Sequence, residues 1–216
     1  MYRTVIFDLD GTLLNTIDDL ANAGNQICRE NGWPEHTAAE FCRMVGHGIP
    51  NLVSRFSPES AQDPETLADT LARFSAYYAQ HNMDATVPYE GIPAMLARLK
   101  ATGVQMAVYS NKADEFSQVI IRHYFPDTFA LVRGKVAGVP VKPDPTGVRA
   151  VLAELGAAAE TPLFVGDSAV DIQTAHNAGL TACGVTWGFR GREELEAARA
   201  QLLADTVEQL ERYIMA

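Results

Sequence analysis

Short apolar runs rich in β-branched residues recur along the chain, at Thr4 to Phe7, Val104 to Tyr109, Phe129 to Val132, Leu163 to Val165 and Thr181 to Val185. Each is soon followed by Gly, Asp, Ser or Asn. Unbroken runs of this length predict strands buried on both faces. Between most of them the apolar period turns helical: Ile92, Met95, Leu96 and Leu99, stopped by Gly103; Phe116, Val119, Ile120 and Tyr124; Val148, Val151, Leu152 and Leu155, stopped by Gly156. Strand and helix in alternation predict an α/β fold built on a doubly wound, mostly parallel sheet.

One connection breaks the rhythm. More than ninety residues separate the first strand from the second, and no convincing strand pattern lies among them. The apolar spacing there is helical: Ile17, Leu20, Gly24, Ile27 and Cys28 up to Gly32, then Ala38 to Val45, then a stripe of Leu67, Leu71, Phe74 and Tyr78 after Pro64. The spacing predicts an α-helical domain over 15–87, inserted into a core formed by 1–14 and 88–216. Leu14 to Thr16 and Ala85 to Gly91 would be its hinges, with Pro88 and Gly91 as punctuation.

Composition narrows the partners. The 216 residues hold 47% hydrophobic and 20% charged residues, and the mean hydropathy is −0.05, which excludes a disordered or collagenous chain. With 17 basic against 27 acidic residues the net charge is −10. No basic stripe exists to neutralise a nucleic acid or an anionic membrane, so neither is expected as a partner. Three cysteines, Cys28, Cys42 and Cys183, are odd in number and lack a CxxC pair, so they read as small buried apolar residues rather than a disulfide or zinc framework. The apolar run at the N-terminus ends after a few residues in two acids, unlike a signal peptide. The expected location is cytoplasmic, the expected state a monomer or homodimer.

Acids gather at the predicted strand ends. Asp8 and Asp10 follow the first strand, where open α/β sheets bind ligands, and the period of two points both side chains the same way. A hairpin turn at Asp10-Gly11 is the plain alternative, and an EF-hand fits poorly because its glycine belongs two positions later. Asp167 and Asp171 follow the Leu163 run, where helix N-capping is the plain alternative. Four converging carboxylates would repel, by about 4 kcal/mol per pair at ~4 Å, and a hard divalent cation such as Mg2+ is the remedy. Ser110 and Asn111 end the second strand, and Lys142 lies in the turn-rich Lys142-Pro143-Asp144-Pro145. Alone these read as a turn and a solvated lysine. Together they supply the donors that phosphoryl oxygens need. Four acids, Lys142 and one divalent cation leave a single negative charge, low enough to admit a phosphate.

FDLDGTL at 7–13, YSNK at 109–112, KPDP at 142–145 and GDSAVD at 166–171 resemble, in order and spacing, the four motifs of the haloacid dehalogenase superfamily. The resemblance implies a Rossmann-like core with a mobile helical cap. It implies that Asp8 is the nucleophile forming an aspartyl-phosphate and Asp10 the general acid and base. It implies that Mg2+ sits on the Asp8 carboxylate, the Asp10 main-chain carbonyl and the Asp167 carboxylate, with Asp171 behind them. Ser110, the main chain around Asn111, and Lys142 would hold the phosphoryl oxygens of a small phosphorylated metabolite. Dehalogenases lack the acid at the position of Asp10, and 15–87 contains no lysine to serve as the Schiff-base amine of phosphonatases. Phosphoryl transfer is thereby favoured over carbon–halogen cleavage.

Gly46-His47-Gly48-Ile49-Pro50, YSNK and the stretch Trp187 to Leu195 look like those of phosphoglycolate phosphatases. His47 or Arg43 would then meet a substrate carboxylate, with Gly46 and Gly48 shaping the loop. Asn15-Thr16 departs from the usual acid at that place, and Asn15 remains able to cap the following helix. A β-phosphoglucomutase-like mutase or a pyrophosphatase shares these motifs. A phospho-aspartate receiver module and a catalytically dead binding fold are the readings from other classes. The receiver is disfavoured because its phospho-acceptor lies on a later strand than its acidic pair.

Overall fold

The computed structural model describes residues 1–157 and 162–216. In chain order the elements are β1 (Thr4–Phe7), β2 (Leu14–Asn15), α1 (Ile17–Asn31), α2 (Ala38–Met44), α3 (Ile49–Phe56), α4 (Pro64–His81) and β3 (Val87–Pro88). There follow α5 (Ile92–Ala101), β4 (Gln105–Ala113), α6 (Asp114–Tyr124), β5 (Leu131–Lys135), α7 (Thr146–Glu154), β6 (Leu163–Gly166), α8 (Ala169–Ala178), β7 (Thr181–Val185), α9 (Arg192–Ala197), β8 (Leu202–Ala204) and α10 (Val207–Met215). The chain divides into two compact units, Met1–Asn15 with Pro88–Ala216, and Thr16–Val87.

In the larger unit six strands pair in the order β5-β4-β1-β6-β7-β8, every pairing parallel. β1 is central and wholly buried, which is why Val5, Ile6 and Phe7 run on without a polar break. Ile6, Ala107, Phe164 and Ala182 share one face, where Val148, Val151, Ile172, Ala175 and Leu195 from α7, α8 and α9 cover them. The alternate residues Val5, Phe7, Val108 and Val165 are buried as completely on the other side, with Phe7 edge-to-face on Phe129. Order 5-4-1-6-7-8 reverses direction after β5, and right-handed crossovers then put α5 and α6 on one face and α7 to α9 on the other. All carboxyl ends of the strands fall along one edge, so residues distant in sequence meet there.

The structure departs from the sequence reading in several places. Strand β4 continues through Ser110 and Asn111 to Ala113 instead of stopping at Tyr109. Its pairing with β5 shifts register between Tyr109 and Ala113, and beside the shift Gly134 lies so close that any Cβ would strike the Lys112 carbonyl and the Asp114 backbone. Two strands of two residues, β2 and β3, pair with each other in the stretch expected to hold none, too short to leave a periodic trace. Helix α3 is a separate element; Pro50 sits in its first turn, where a missing N–H costs nothing. Thr16, not Asn15, occupies the N-cap of α1. Cys28 and Cys183 are buried as expected, whereas Cys42 is only half-buried. The edge strand β8 follows β7, where no strand was expected.

The Thr16–Val87 unit is a helical bundle with a ladder of rings: Phe41 on Phe56, Phe56 on Phe74 and Phe74 stacked on Tyr78. Gly24 on α1 admits the Phe41 ring, which a Cβ there would meet. Asp19, 1% exposed, accepts from the Ala85 and Thr86 amides at 2.8 and 2.9 Å and from the Thr86 hydroxyl at 2.7 Å. That contact ties the beginning of the unit to its end. Arg43 lies on α2, where its carbonyl accepts from Arg55 Nη1 at 2.8 Å. Gly46 and Gly48 both adopt positive φ, 122° and 85°, around His47, and Gly48 is the N-cap of α3. No helix among the described residues is long and apolar enough to cross a membrane.

Candidate active site

Asp8 continues the β1 ladder, its amide donating to the Val165 carbonyl at 2.9 Å. The chain then turns sharply: the amides of Thr12, Leu13 and Leu14 all point at the Leu9 carbonyl, and Gly11 takes φ 80°. The turn at Asp10-Gly11 is not the hairpin of the plain alternative, since β2 beyond it pairs with β3 and not with β1; it holds Asp8 and Asp10 at the sheet edge. On β6 the chain ends at Gly166, where a Cβ would collide with the Asp171 side chain. Ser168 is the N-cap of α8 and Asp171, at the third helical position, completes its capping box, so neither Asp167 nor Asp171 occupies the N-cap as the plain alternative has it. Asp171 Oδ2 accepts from the Ser168 amide at 3.1 Å and its hydroxyl at 2.6 Å, leaving Oδ1 for a cation.

That cation is Lys142. Its Nζ lies 2.7 Å from Asp171 Oδ1 and 2.8 Å from Asp8 Oδ1, with the side chain 2% exposed. Asn111 sets it in place: the Asn111 side chain donates to the Lys142 carbonyl at 3.1 Å and accepts from its amide at 2.8 Å. Ser110 is buried beside them, its Oγ accepting from the Lys112 amide at 3.3 Å. Asp167 faces the same space. Its Oδ2 accepts from the Phe189 amide at 2.7 Å and its Oδ1 from the Thr12 hydroxyl at 3.4 Å. Gly188 packs so closely on Asp167 and on the Gly11 carbonyl that a Cβ could not fit. The Trp187 indole donates to the Thr12 carbonyl at 3.2 Å, tying this loop to the turn that carries Asp10.

One carboxylate oxygen from each of Asp8, Asp167 and Asp171 lies within 4.8 Å of the others. Burial and the Asp171 charge push the Asp8 carboxyl up to about 6 against the pull of Lys142. Burial, with Asp171 and Asp8, pushes Asp167 well above the usual carboxylate range. Lys142 is driven upward, because Asp171 and Asp8 outweigh the cost of burying its charge.

Sequence reasoning missed three contributors. Lys112 Nζ binds both Asp10 oxygens, at 3.0 and 3.2 Å, and its side chain is 2% exposed. It belongs to the YSNK motif, but a lone lysine at a strand end reads as solvated. The Phe189 amide on Asp167 carries no signal, since backbone donors are silent in sequence, and the Thr12 hydroxyl reads only as part of FDLDGTL. With Lys112 counted, four acids face two ammonium groups, and one divalent cation would bring the site to neutrality.

The cluster fits such an ion. Asp8 Oδ1 is buried with no hydrogen-bond donor in bonding geometry among the described residues, and Lys142 reaches it only as an ion-pair partner. The donors are hard carboxylate oxygens, the kind Mg2+ takes at ~2.1 Å.

Residues 5–185 match the haloacid dehalogenase-like hydrolase family. Phosphoglycolate phosphatase of Vibrio cholerae is 31% identical over 95% of this chain and 93% of its own length. The enzyme of that name from Rhodospirillum rubrum is 34% identical over 95% and 88%. Among solved structures, a candidate phosphoglycolate phosphatase of Lactobacillus delbrueckii subsp. bulgaricus superposes with a TM-score of 0.92 at 31% identity, covering 99% of this chain and 98% of that one. The chain belongs to the haloacid dehalogenase-like hydrolase family. Within it, the chain is a phosphatase, a phosphoric monoester hydrolase.

Proposed function

We propose that this phosphatase works through an aspartyl-phosphate on Asp8, uses Mg2+, and acts on a small phosphorylated metabolite of the 2-phosphoglycolate kind. The carrying observation is the buried Asp8 oxygen, which no donor among the described residues meets in hydrogen-bonding geometry, set beside the Lys142 ammonium and Asp167. In the first displacement an Asp8 oxygen bonds to phosphorus as the ester oxygen leaves, and Asp10 gives that oxygen its proton. In the second, Asp10 takes a proton from water, the water oxygen bonds to phosphorus, and the bond to Asp8 breaks to release inorganic phosphate. Lys142 and the Ser110 hydroxyl hold phosphoryl oxygens, with the main chain near Asn111. The Asp8 and Asp167 carboxylates and the Asp10 main-chain carbonyl would hold Mg2+, which supplies Lewis-acid neutralisation of the phosphate charge. Asp171 orients Lys142. The substrate class rests on the relatives' names together with the need of a doubly charged phosphate for this balance of acids and ammonium groups.

The test is release of inorganic phosphate from 2-phosphoglycolate, β-glucose 1-phosphate, pyrophosphate and nucleotides, with and without Mg2+. Release from 2-phosphoglycolate only with Mg2+ supports the reading. Isomerisation of the sugar phosphate through a bisphosphate would replace it with a mutase, and inertness toward every ester would end it.

Protons compete with the metal. A carboxyl whose folded pKa is raised stabilises the fold below its unfolded value, and that contribution fades as pH climbs from 3.8 through about 6 for Asp8. Mg2+ needs the ionised form, so the Mg2+-induced rise in Tm is expected to be small near about pH 5 and to grow toward about pH 7.5. Calorimetry at both values checks this, and equal rises would contradict it. Gly188→Ala should push on Asp167 and cost about 10- to 100-fold in Mg2+ affinity, the range for groups that orient a ligand. Isothermal titration reads this directly, and wild-type affinity would show that Asp167 is not a ligand.

A further inference from the structure

The two buried lysines of the site divide the acids between them. Lys142 serves Asp8 and Asp171, while Lys112 binds both oxygens of Asp10. The Asp10 side chain is 13% exposed and that of Lys112 is 2%. A partly solvated carboxylate needs no buried ammonium for stability, whereas a buried ammonium is costly without a carboxylate. The backbone of Lys112 is fixed from two sides: its amide donates to Ser110 Oγ at 3.3 Å, and its carbonyl packs on Gly134, where no Cβ fits. The register shift between β4 and β5 falls at this point, so the strand is distorted where it delivers Lys112.

We propose that Lys112 is a positioning residue for Asp10, gripping both carboxylate oxygens so that the proton donor and acceptor is aimed before an ester arrives. This rests on the role of Asp10 proposed above. Without the grip the carboxyl samples other rotamers, and both proton transfers slow while ester binding is kept.

Lys112→Met, close in shape and uncharged, tests it in the full chain with Mg2+. The substrates are p-nitrophenyl phosphate, whose leaving group departs without a proton, and whichever alkyl phosphate the wild type hydrolyses. On the alkyl ester kcat should fall about 10- to 100-fold, within the contribution of general acid–base catalysis, with KM changed less than about threefold. On p-nitrophenyl phosphate the first turnover should stay fast and the later ones slow, giving a burst, because only dephosphorylation then waits on Asp10. Lys112→Arg should recover part of the loss. In an Asp10→Asn background Lys112→Met should add less than about twofold, since it acts through Asp10.

A first turnover on p-nitrophenyl phosphate slowed as much as that on the alkyl ester, a rise in KM alone, or full additivity with Asp10→Asn would overturn the proposal. Should Lys112→Met not fold, Lys112→Gln takes its place in the same cycle, judged against its own circular dichroism. Failure of the underlying reading looks different: wild type would then release no phosphate, or Asp10→Asn would turn over normally, and the proposal would fall with it.

Discussion

Asp8→Asn is expected to leave a folded protein that has lost phosphatase turnover by roughly 10^4-fold or more, the scale seen when a nucleophile is removed. An amide oxygen is a poor nucleophile toward phosphorus, and in the proposed scheme the neighbouring Asp10 is engaged in proton transfer. The fold should gain at neutral pH. Burial holds the Asp8 carboxyl near 6, against 3.8 for the free group, so ionising it above about pH 6 opposes folding by up to about 3 kcal/mol. The neutral amide escapes this. The variant's Tm, measured without Mg2+, should therefore match or exceed wild type near about pH 7.5, and its dependence on pH between about 4 and 6 should flatten. Phosphate release at the wild-type rate from a pure variant would end the assignment of Asp8. A collapse in Tm would show that its carboxylate is structural.

Lys142→Met carries the largest expected cost in stability. The ammonium stands between Asp8 and Asp171, both buried, and its removal leaves these acids facing each other and Asp167 without their cation. Removing one partner of a buried ionic cluster costs about 3 to 5 kcal/mol, which for a chain of this size lowers Tm by about 10 °C or more. The deficit should shrink as pH falls toward about 5, because Asp8 and Asp167 then take up protons and the repulsion fades. Activity should disappear at every pH. A variant melting within about 2 °C of wild type near about pH 7.5 would mean that the acids are already uncharged there.

Much of this was legible in the residues because burial leaves a mark. β1, β6 and β7 are covered on both faces, so their runs are apolar without interruption and their ends show as the first acid or glycine. The segments that hold Asp8, Ser110 and Asp167 were readable for the same reason, each sitting where a buried run meets the polar edge, whereas Lys142 stood out only by its turn-rich neighbours. What escaped reading lacks such a mark. β8 is a three-residue edge strand, partly exposed, with no alternation to follow. Lys112 looks like any surface lysine because its carboxylate partner lies 102 positions away. The extension of β4 to Ala113 runs against Gly134 on the neighbouring strand, whose lack of a Cβ admits the Lys112 carbonyl, a fit that no local pattern announces. The N-cap expectation for Asn15 failed because that residue is taken up by β2, which leaves Thr16 at the N-cap position of α1.

The stretch from Thr16 to Val87 leaves and rejoins the chain at neighbouring points, with β2 paired to β3 and Asp19 bonded across to Ala85 and Thr86. It behaves as a cassette. Such a segment can be exchanged, lengthened or trimmed without altering the register of any strand in the six-stranded sheet, because no strand of that sheet comes from it. The arrangement of four acids and two lysines at the sheet edge is thereby insulated from changes in the length of the segment, since all six residues lie outside it.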